Sequence, residues 1–398
     1  MCAVLAANDG KINTNGIVRA ICRGANMTEK SNNLKHITVE GFKSIVKLDL
    51  PMENINILIG ANGAGKTNLI SLFTFLSFLS QGKLRDYVLK EGGAERFFHF
   101  GTRHTRQMVF DLKVGVNGYH VEFAPNLDDD SLVFNKEYCT ITSSPKPWNL
   151  YPKKGESGFV SGEQAESEPV KKYTREFLGK CRVYHFHDTS SQALFKKTNK
   201  LINYYYLEKN AANIAPFLHY LKTNMQESYR QSYQQIVSAI QTVAPFFHDF
   251  YLEPTGEEGD ENILLRWTHV KHDTPFSANV LSDGTARFIC LATLFLQPTS
   301  RRPDTIILDE PELGLHPAAL AVLADIIQVA SRETQVICST QSVEFANFFA
   351  PEDFIVVDAK DGVSTFRRLE KKPLEHWLEE YGMGDIWAKN LVGGRPAW

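Results

Sequence analysis

The octapeptide Gly60-Ala61-Asn62-Gly63-Ala64-Gly65-Lys66-Thr67 constrains this chain more than any other feature. It satisfies G-x-x-x-x-G-K-[ST] at every defined position. A short apolar run, Asn56–Ile59, precedes it, and an apolar stretch of helical length, Asn68–Leu79, follows. A strand that turns through glycines into a helix lets the backbone wrap closely, so that its N–H groups and the helix N-terminus face an anion. Gly60, Asn62, Gly63, Ala64, Gly65 and Asn68 then line a phosphate cradle. Lys66 offsets charge on the β- and γ-phosphates, and Thr67 sets its hydroxyl on Mg2+. A glycine-rich turn without a ligand is the competing reading, and the Lys-Thr pair in register speaks against it.

Two further segments fit that reading. Thr305–Leu308 is an apolar strand followed by Asp309, Glu310 and Pro311. In a parallel sheet the C-terminal strand ends line the ligand crevice. Asp309 is therefore expected to bind Mg2+ through water, and Glu310 to polarise an attacking water. Capping of a helix N-terminus is the alternative role for such carboxylates. Leu281-Ser282-Asp283-Gly284-Thr285 opens the apolar run Ala286–Leu296 and reads as a second anion-binding helix start. Being far from Lys66 in sequence, it need not serve the same nucleotide in the same chain.

The remaining sequence alternates helical patterns with β-rich runs at Thr305–Leu308, Gln335–Cys338 and Phe354–Val357, which implies crossovers and a mostly parallel sheet covered by helices. Upstream, His36–Phe42 and Ser44–Leu50 read as a hairpin, and Met108–Val114 and Tyr119–Phe123 as another, turning at Asn117-Gly118. The fold class expected is α/β: a phosphate-loop nucleoside triphosphatase with a central, mostly parallel sheet, an antiparallel N-terminal β subdomain, and an inserted loop and helical arm. Its divisions fall at 1–34 (a disordered leader), 35–125 (a first lobe with the phosphate loop), 126–250 (an insertion, loop-rich then helical) and 251–398 (a second lobe). The loop-rich reading rests on Asp128–Asp130, Pro145, Pro147, Pro152 and Gly155–Gly162.

Composition closes off other classes. A formal charge of −3 lacks the signature of a nonspecific nucleic-acid coat, although Lys171-Lys172 and Lys196-Lys197 keep a local nucleic-acid contact open. The longest apolar run is too short to span a membrane. Six scattered cysteines suit a reducing, cytoplasmic compartment rather than a disulfide framework. His185 and His187 share a strand face, but no third or fourth ligand lies at workable spacing for a metal.

Together Gly60–Thr67, Leu281–Thr285 and Leu308–Pro317, with the opening Gly41-Phe42-Lys43-Ser44, resemble the ABC-type ATPase heads of the RecF, SMC and OLD group, often labelled AAA-family. The ending Gly382–Gly394, continuing into Arg395 and Pro396, looks like a compact bacterial subgroup. Such proteins are commonly encoded beside a separate effector, often a TOPRIM-like nuclease, in mobile or anti-phage loci. The resemblance implies ATP and Mg2+ as cofactors and hydrolysis to ADP and phosphate. It also implies a head-to-tail homodimer, or a higher homo-oligomer, in which Ser282 and Gly284 of one copy cap the nucleotide held at Lys66 and Thr67 of the other. Gln341 stands where the family often has a switch histidine; an amide can hydrogen-bond a phosphate oxygen or the water but carries no charge. That substitution keeps a nucleotide-gated scaffold with little hydrolysis as an alternative. A transporter ATPase subunit is disfavoured by Asp283 and Thr285, which replace the first Gly and the Gln of the usual transporter signature.

Overall fold

A computed structural model describes residues 33–126, 128–153, 155–161 and 169–394. The expected leader, apart from Asn33 and Leu34, and the terminal Arg395 and Pro396 lie outside the described residues. In chain order the strands are β1 (Leu34–Phe42), β2 (Ile45–Pro51), β3 (Ile55–Ile59), β4 (Met108–Val114), β5 (Asn117–Pro125), β6 (Leu132–Ile141), β7 (Ser144–Asn149) and β8 (Cys181–Tyr184). They continue as β9 (Asn199–Lys200), β10 (Phe247–Tyr251), β11 (Asn262–Ile263), β12 (Arg266–His269), β13 (His272–Ser277), β14 (Thr305–Asp309), β15 (Gln335–Thr340), β16 (Phe354–Lys360) and β17 (Val363–Arg368). The chain forms two compact units: one draws on 33–185, 303–312 and 331–394, the other on 186–302 and 313–330.

The larger unit holds two six-stranded sheets. One is antiparallel, ordered β2-β1-β4-β5-β6-β7; the other runs β17-β16-β3-β15-β14-β8, with β16, β3, β15, β14 and β8 parallel and β17 antiparallel at its edge. Helix Lys66–Ser80 is apolar around most of its circumference because it is covered on both sides. Its Phe75 meets Phe42, Phe110 and Phe123 of the antiparallel sheet at centroid distances of 5.9, 5.5 and 5.4 Å, mostly edge to face. The same core takes in Ile307, Ile337 and Ile355 of the parallel sheet. The buried amide of Gln335 joins the layers: its Oε1 accepts from Leu34 N (3.1 Å), and its Nε2 donates to the carbonyls of Leu34 and Glu53 (both 2.8 Å).

Three local expectations need correction. Residues 132–149 are not loop: β6 and β7 complete the antiparallel sheet, and Asp128–Asp130 only begin the connection into β6. Pro145 and Pro147 sit on β7, the outermost strand, where a missing N–H costs no ladder bond. The buried carboxylate of Glu137, accepting from Tyr119 Oη (2.7 Å), Ser157 Oγ and Gly158 N (2.8 Å), secures the following segment to the sheet. The helix after it, Pro169–Lys180, packs on Lys66–Ser80, and β8 closes the parallel sheet, so 126–185 belongs to the larger unit rather than to an arm. Second, the β4–β5 hairpin turns at Gly115 and Val116 (Gly115 φ 56°), with Val114 opposite Asn117; Asn117-Gly118 lies in the ladder. Third, the strand face expected to carry His185 and His187 does not form, because β8 ends at Tyr184.

The smaller unit packs helices Ile214–Thr223, Glu227–Val243, Asp283–Leu296 and Pro317–Ala330 together with the sheet β10-β12-β13. Among the described residues no helix is long and apolar enough to cross a membrane.

Candidate functional site

Every residue of β3 is buried, and its parallel neighbours bring three chain segments to one edge. Ile59 lies opposite Thr340, and Asp309 opposite Ser339, so Gly60–Thr67, Asp309–Glu310 and Ser339–Ser342 leave the sheet side by side. The loop wraps through Gly63 and Gly65 at φ 78° and 110°. At Gly65 a Cβ would lie 2.1 Å from Ser364 Oγ, so both the dihedral and the space admit only glycine. Gly60 leaves β3 beside β16, and Asn62 and Gly63 are exposed at the loop tip. Ala64 is buried, its N–H bonded to Ala61 O at 3.1 Å.

Lys66 is 5 % exposed and turns its Nζ back onto the loop, 2.6 Å from Gly60 O and 3.0 Å from Ala61 O. Burial holds its pKa below the ordinary lysine value, opposed by the charges of Glu310, Asp309 and Glu312. Asn68, counted with the phosphate cradle in sequence, directs its Nδ2 to Ser44 Oγ (2.6 Å) and so braces the Gly41–Ser44 motif against the loop.

Thr67 Oγ1 donates to Asp309 Oδ2 at 3.3 Å, and Ser339 Oγ donates to Asp309 Oδ1. This donor set fits Mg2+, which prefers one or two carboxylates, water and substrate phosphates. Two oxygens on adjacent vertices of an octahedron with bonds near 2.1 Å lie about 3.0 Å apart, close to the Thr67–Asp309 spacing of 3.3 Å. Glu310 adopts φ 46°, and its N–H is held by Ser339 O and Oγ, both at 3.1 Å. A non-glycine residue in this region is uncommon and turns its carboxylate away from the path of the strand. Gln341 Nε2 donates to Glu310 Oε1, so the two residues meet at the strand ends.

Sequence reasoning assigned no role to Glu312, Ser339 or Ser364. Glu312, 6 % exposed, accepts from Thr340 Oγ1 (2.6 Å) and Gln341 N (3.0 Å). Burial raises its carboxyl above the ordinary value, with the Thr340 and backbone hydrogen bonds opposing. Ser364, on β17, bonds Ala64 O (2.6 Å) and Ser44 Oγ (2.7 Å). Glu312 was visible in the run after Asp309 as a third carboxylate, and Ser339 in Ser339–Ser342. Ser364 left no signal, because only the sheet order brings it to the loop.

In the smaller unit Ser282 caps helix Asp283–Leu296: its Oγ accepts from Thr285 N at 3.2 Å and stays exposed. A Cβ on Gly284 would lie 2.4 Å from Gly314 O, so the segment after Glu312 runs hard against this helix start. Arg287 fixes it there, donating to Phe186 O (2.9 Å), His187 O (3.1 Å) and Leu313 O. Among the described residues no three His, Cys, Asp or Glu side chains gather to hold a metal ion by themselves.

A family model described as "AAA domain, putative AbiEii toxin, Type IV TA system" matches residues 55–347. The chain is 47 % identical over 45 residues to the DNA replication and repair protein RecF of Lactobacillus acidophilus, a match spanning 11 % of this chain and 12 % of that relative. Among solved structures, the SmcHead bound to the C-winged helix domain of ScpA superposes with TM-score 0.52 at 15 % identity, covering 86 % of this chain and 99 % of that one. The Smc head domain with an extended coiled coil bound to the C-terminal domain of ScpA, derived from Pyrococcus furiosus, gives TM-score 0.48 at 15 % identity over 87 % and 98 %. The likeness to the SmcHead establishes the fold, that of an SMC head domain.

Proposed function

Because the chain belongs to this AAA-domain family and has the fold of an SMC head, we propose that it is an ABC-type, RecF/SMC-like ATPase that binds ATP with Mg2+ and hydrolyses it to ADP and phosphate. The observation that carries the reading is the meeting of Lys66 and Thr67, after β3, with Asp309 and Glu310, at the end of β14, across the C-terminal end of the intervening β15. The loop N–H groups and the start of helix Lys66–Ser80 receive the phosphates. Lys66, once its bonds to Gly60 O and Ala61 O are exchanged for phosphate oxygens, offsets charge that develops on them. Thr67 and Asp309 hold Mg2+, whose charge neutralises the β- and γ-oxygens when it is bound. Glu310 orients the attacking water and accepts its proton, and Gln341 hydrogen-bonds Glu310 and the reacting group.

The proposed site is shared between two copies, Ser282 and Gly284 of one closing over the nucleotide at Lys66 of the other. Bound triphosphate then links two surfaces and its hydrolysis releases them, a switch driven by differential affinity. In the cytoplasm this switch would regulate a separately encoded effector directed at DNA or at phage, of which a TOPRIM-like nuclease is one form. Support for that last step comes from relatives only: RecF is named for DNA replication and repair, and the SmcHead is bound to ScpA.

A second reading, a nucleotide-gated scaffold with little turnover, is favoured by the Gln341–Glu310 hydrogen bond, which occupies one oxygen of the base with a neutral amide. Single-turnover rates separate the two. The shared site is tested by mixing Lys66→Ala and Ser282→Ala proteins, each inactive alone; one intact composite pocket forms in the mixed dimer and turnover recovers in part. A mixture that stays inactive although both proteins fold and dimerise sinks the shared pocket.

A further inference from the structure

The segment Gly382–Gly394 reaches the end of the parallel sheet that carries the phosphate loop, and it does so twice. First, helix Met383–Ala388 packs on helix Val343–Ala346, which begins two residues after Gln341. A Cβ on Gly384 would overlap Val343 O, so only glycine lets the two backbones approach this closely. Asn347 locks the crossing: its Oδ1 accepts from Gly384 N (2.7 Å) and Asp385 N (3.3 Å). At the other end of Val343–Ala346 sits its cap Ser342, whose Oγ accepts from Phe345 N (3.0 Å). One helical turn therefore separates Asn347 from Gln341, whose amide meets Glu310.

The chain then turns back to the phosphate loop. Gly394 lies against Gly60: a Cβ on it would stand 3.4 Å from Gly60 Cα and 3.2 Å from Val356 Cγ1 on β16. Gly394 N donates to Asp358 Oδ1 and Arg367 to Val392 O, both at 2.7 Å. The buried Trp387 donates its Nε1–H to Gly394 O at 3.4 Å. Trp387 belongs to the helix that Asn347 holds, so the two contacts are opposite ends of one body. Gly60 O is in turn an acceptor for Lys66 Nζ. The pairings of β16 with β3 and β17 need none of these bonds. What the bonds add is a fixed relation between the first residue of the phosphate loop and the residue that follows β15.

Resting on the nucleotide reading above, we infer that Gly382–Gly394 is a clasp, with Asn347 and Asp358 as positioning residues, that sets turnover through Gln341 and nucleotide affinity through Gly60. Its two ends act on different quantities. The Asn347 end bears on where Gln341 stands beside Glu310, and the Asp358 end on the loop that receives the phosphates.

The test measures Mg-ATP binding and single-turnover hydrolysis on the full chain and on Asn347→Ala, Asn347→Asp and Asp358→Ala. Neither side chain belongs to a fully buried residue, so neither truncation opens a core cavity. Asn347→Ala is expected to lower the hydrolysis rate about tenfold while ATP affinity stays as in the parent, because small misplacements caused from a distance are costly to the chemical step. Asn347→Asp keeps an acceptor oxygen for Gly384 N and restores the rate. Asp358→Ala is expected to weaken ATP binding about tenfold, the loss of a hydrogen bond to a charged group. The clasp is overturned if Asn347→Ala hydrolyses ATP within about twofold of the parent. It is equally overturned if Asn347→Ala and Asp358→Ala lower binding and rate alike, since the segment then only supports the fold. Where the parent binds ATP without measurable hydrolysis, unchanged affinity in Asp358→Ala overturns it. A parent chain that binds no Mg-ATP removes the nucleotide reading, and the clasp with it.

Discussion

Gly65→Ala probes the tightest point of the phosphate loop. Two costs are readable from the structure. The backbone must keep φ near 110°, which a residue with a Cβ holds at a penalty of about 1–3 kcal/mol. The new methyl also arrives 2.1 Å from Ser364 Oγ and 2.8 Å from Ser364 Cβ. Ser364 must move, losing its bonds to Ala64 O and Ser44 Oγ at about 1 kcal/mol each. The sum is about 3–5 kcal/mol, a large share of the 5–15 kcal/mol typical of a whole fold. Ser364→Gly removes the obstructing atoms and leaves only the backbone part. In that background Gly65→Ala should cost about 1–3 kcal/mol, the difference being the coupling between the two residues. Urea denaturation of the four proteins gives the cycle, and ATP binding reports whether the loop still forms. If Gly65→Ala unfolds within about 0.5 kcal/mol of the parent, or if Ser364→Gly fails to relieve it, the close approach drawn here is wrong.

Two other outcomes follow from the same geometry. Glu310→Gln should bind ATP as the parent does but turn over ~10²–10⁴-fold more slowly, the usual contribution of a general base; a parental rate in a steady-state phosphate-release assay would remove Glu310 from that role. Asp353 titrates at about 6 rather than 3.8, chiefly through burial, with the Ala350 N–H opposing and Glu352 adding to the rise. Because its folded value is the higher one, its neutral form contributes fully below 3.8 and that contribution disappears as pH climbs through about 6. The stability of Asp353→Asn relative to the parent should therefore rise across that window, by at most about 3 kcal/mol and by about 1–2 after allowing for solvent screening. A flat difference in urea midpoints across that window would contradict the burial of this carboxyl.

The parts of the site legible in sequence are those whose chemistry is contiguous. Gly60–Thr67 encodes strand, turn, charge and helix start in one stretch, and the apolar run ending in Asp309-Glu310 marks its strand end without help from the fold. What escaped depends on register. Ser339 reaches Asp309 because β15 lies in step with β14, and Ser364 reaches Ala64 because β17 is carried to the loop by β16. No local pattern encodes either pairing. The misread segment 132–149 shows the same limit: proline count argues for loop, and only a strand's place at the sheet edge reveals that the prolines are tolerated. At Gly115 and Asn117-Gly118 two turn signals stood two residues apart, and β4 and β5 meet in the register that leaves the first at the tip.

β15 is gripped at both extremities. Ser339 and Thr340 hold Asp309 and Glu312 at one end, and the Gln335 amide clasps Leu34 and Glu53 at the other. A wholly buried strand of this length is a strut of roughly 20 Å with no slack to absorb a displacement. In the proposed ATP cycle, β15 directly connects the partners of Asp309 and Glu312 to the amide that holds the first residue of β1.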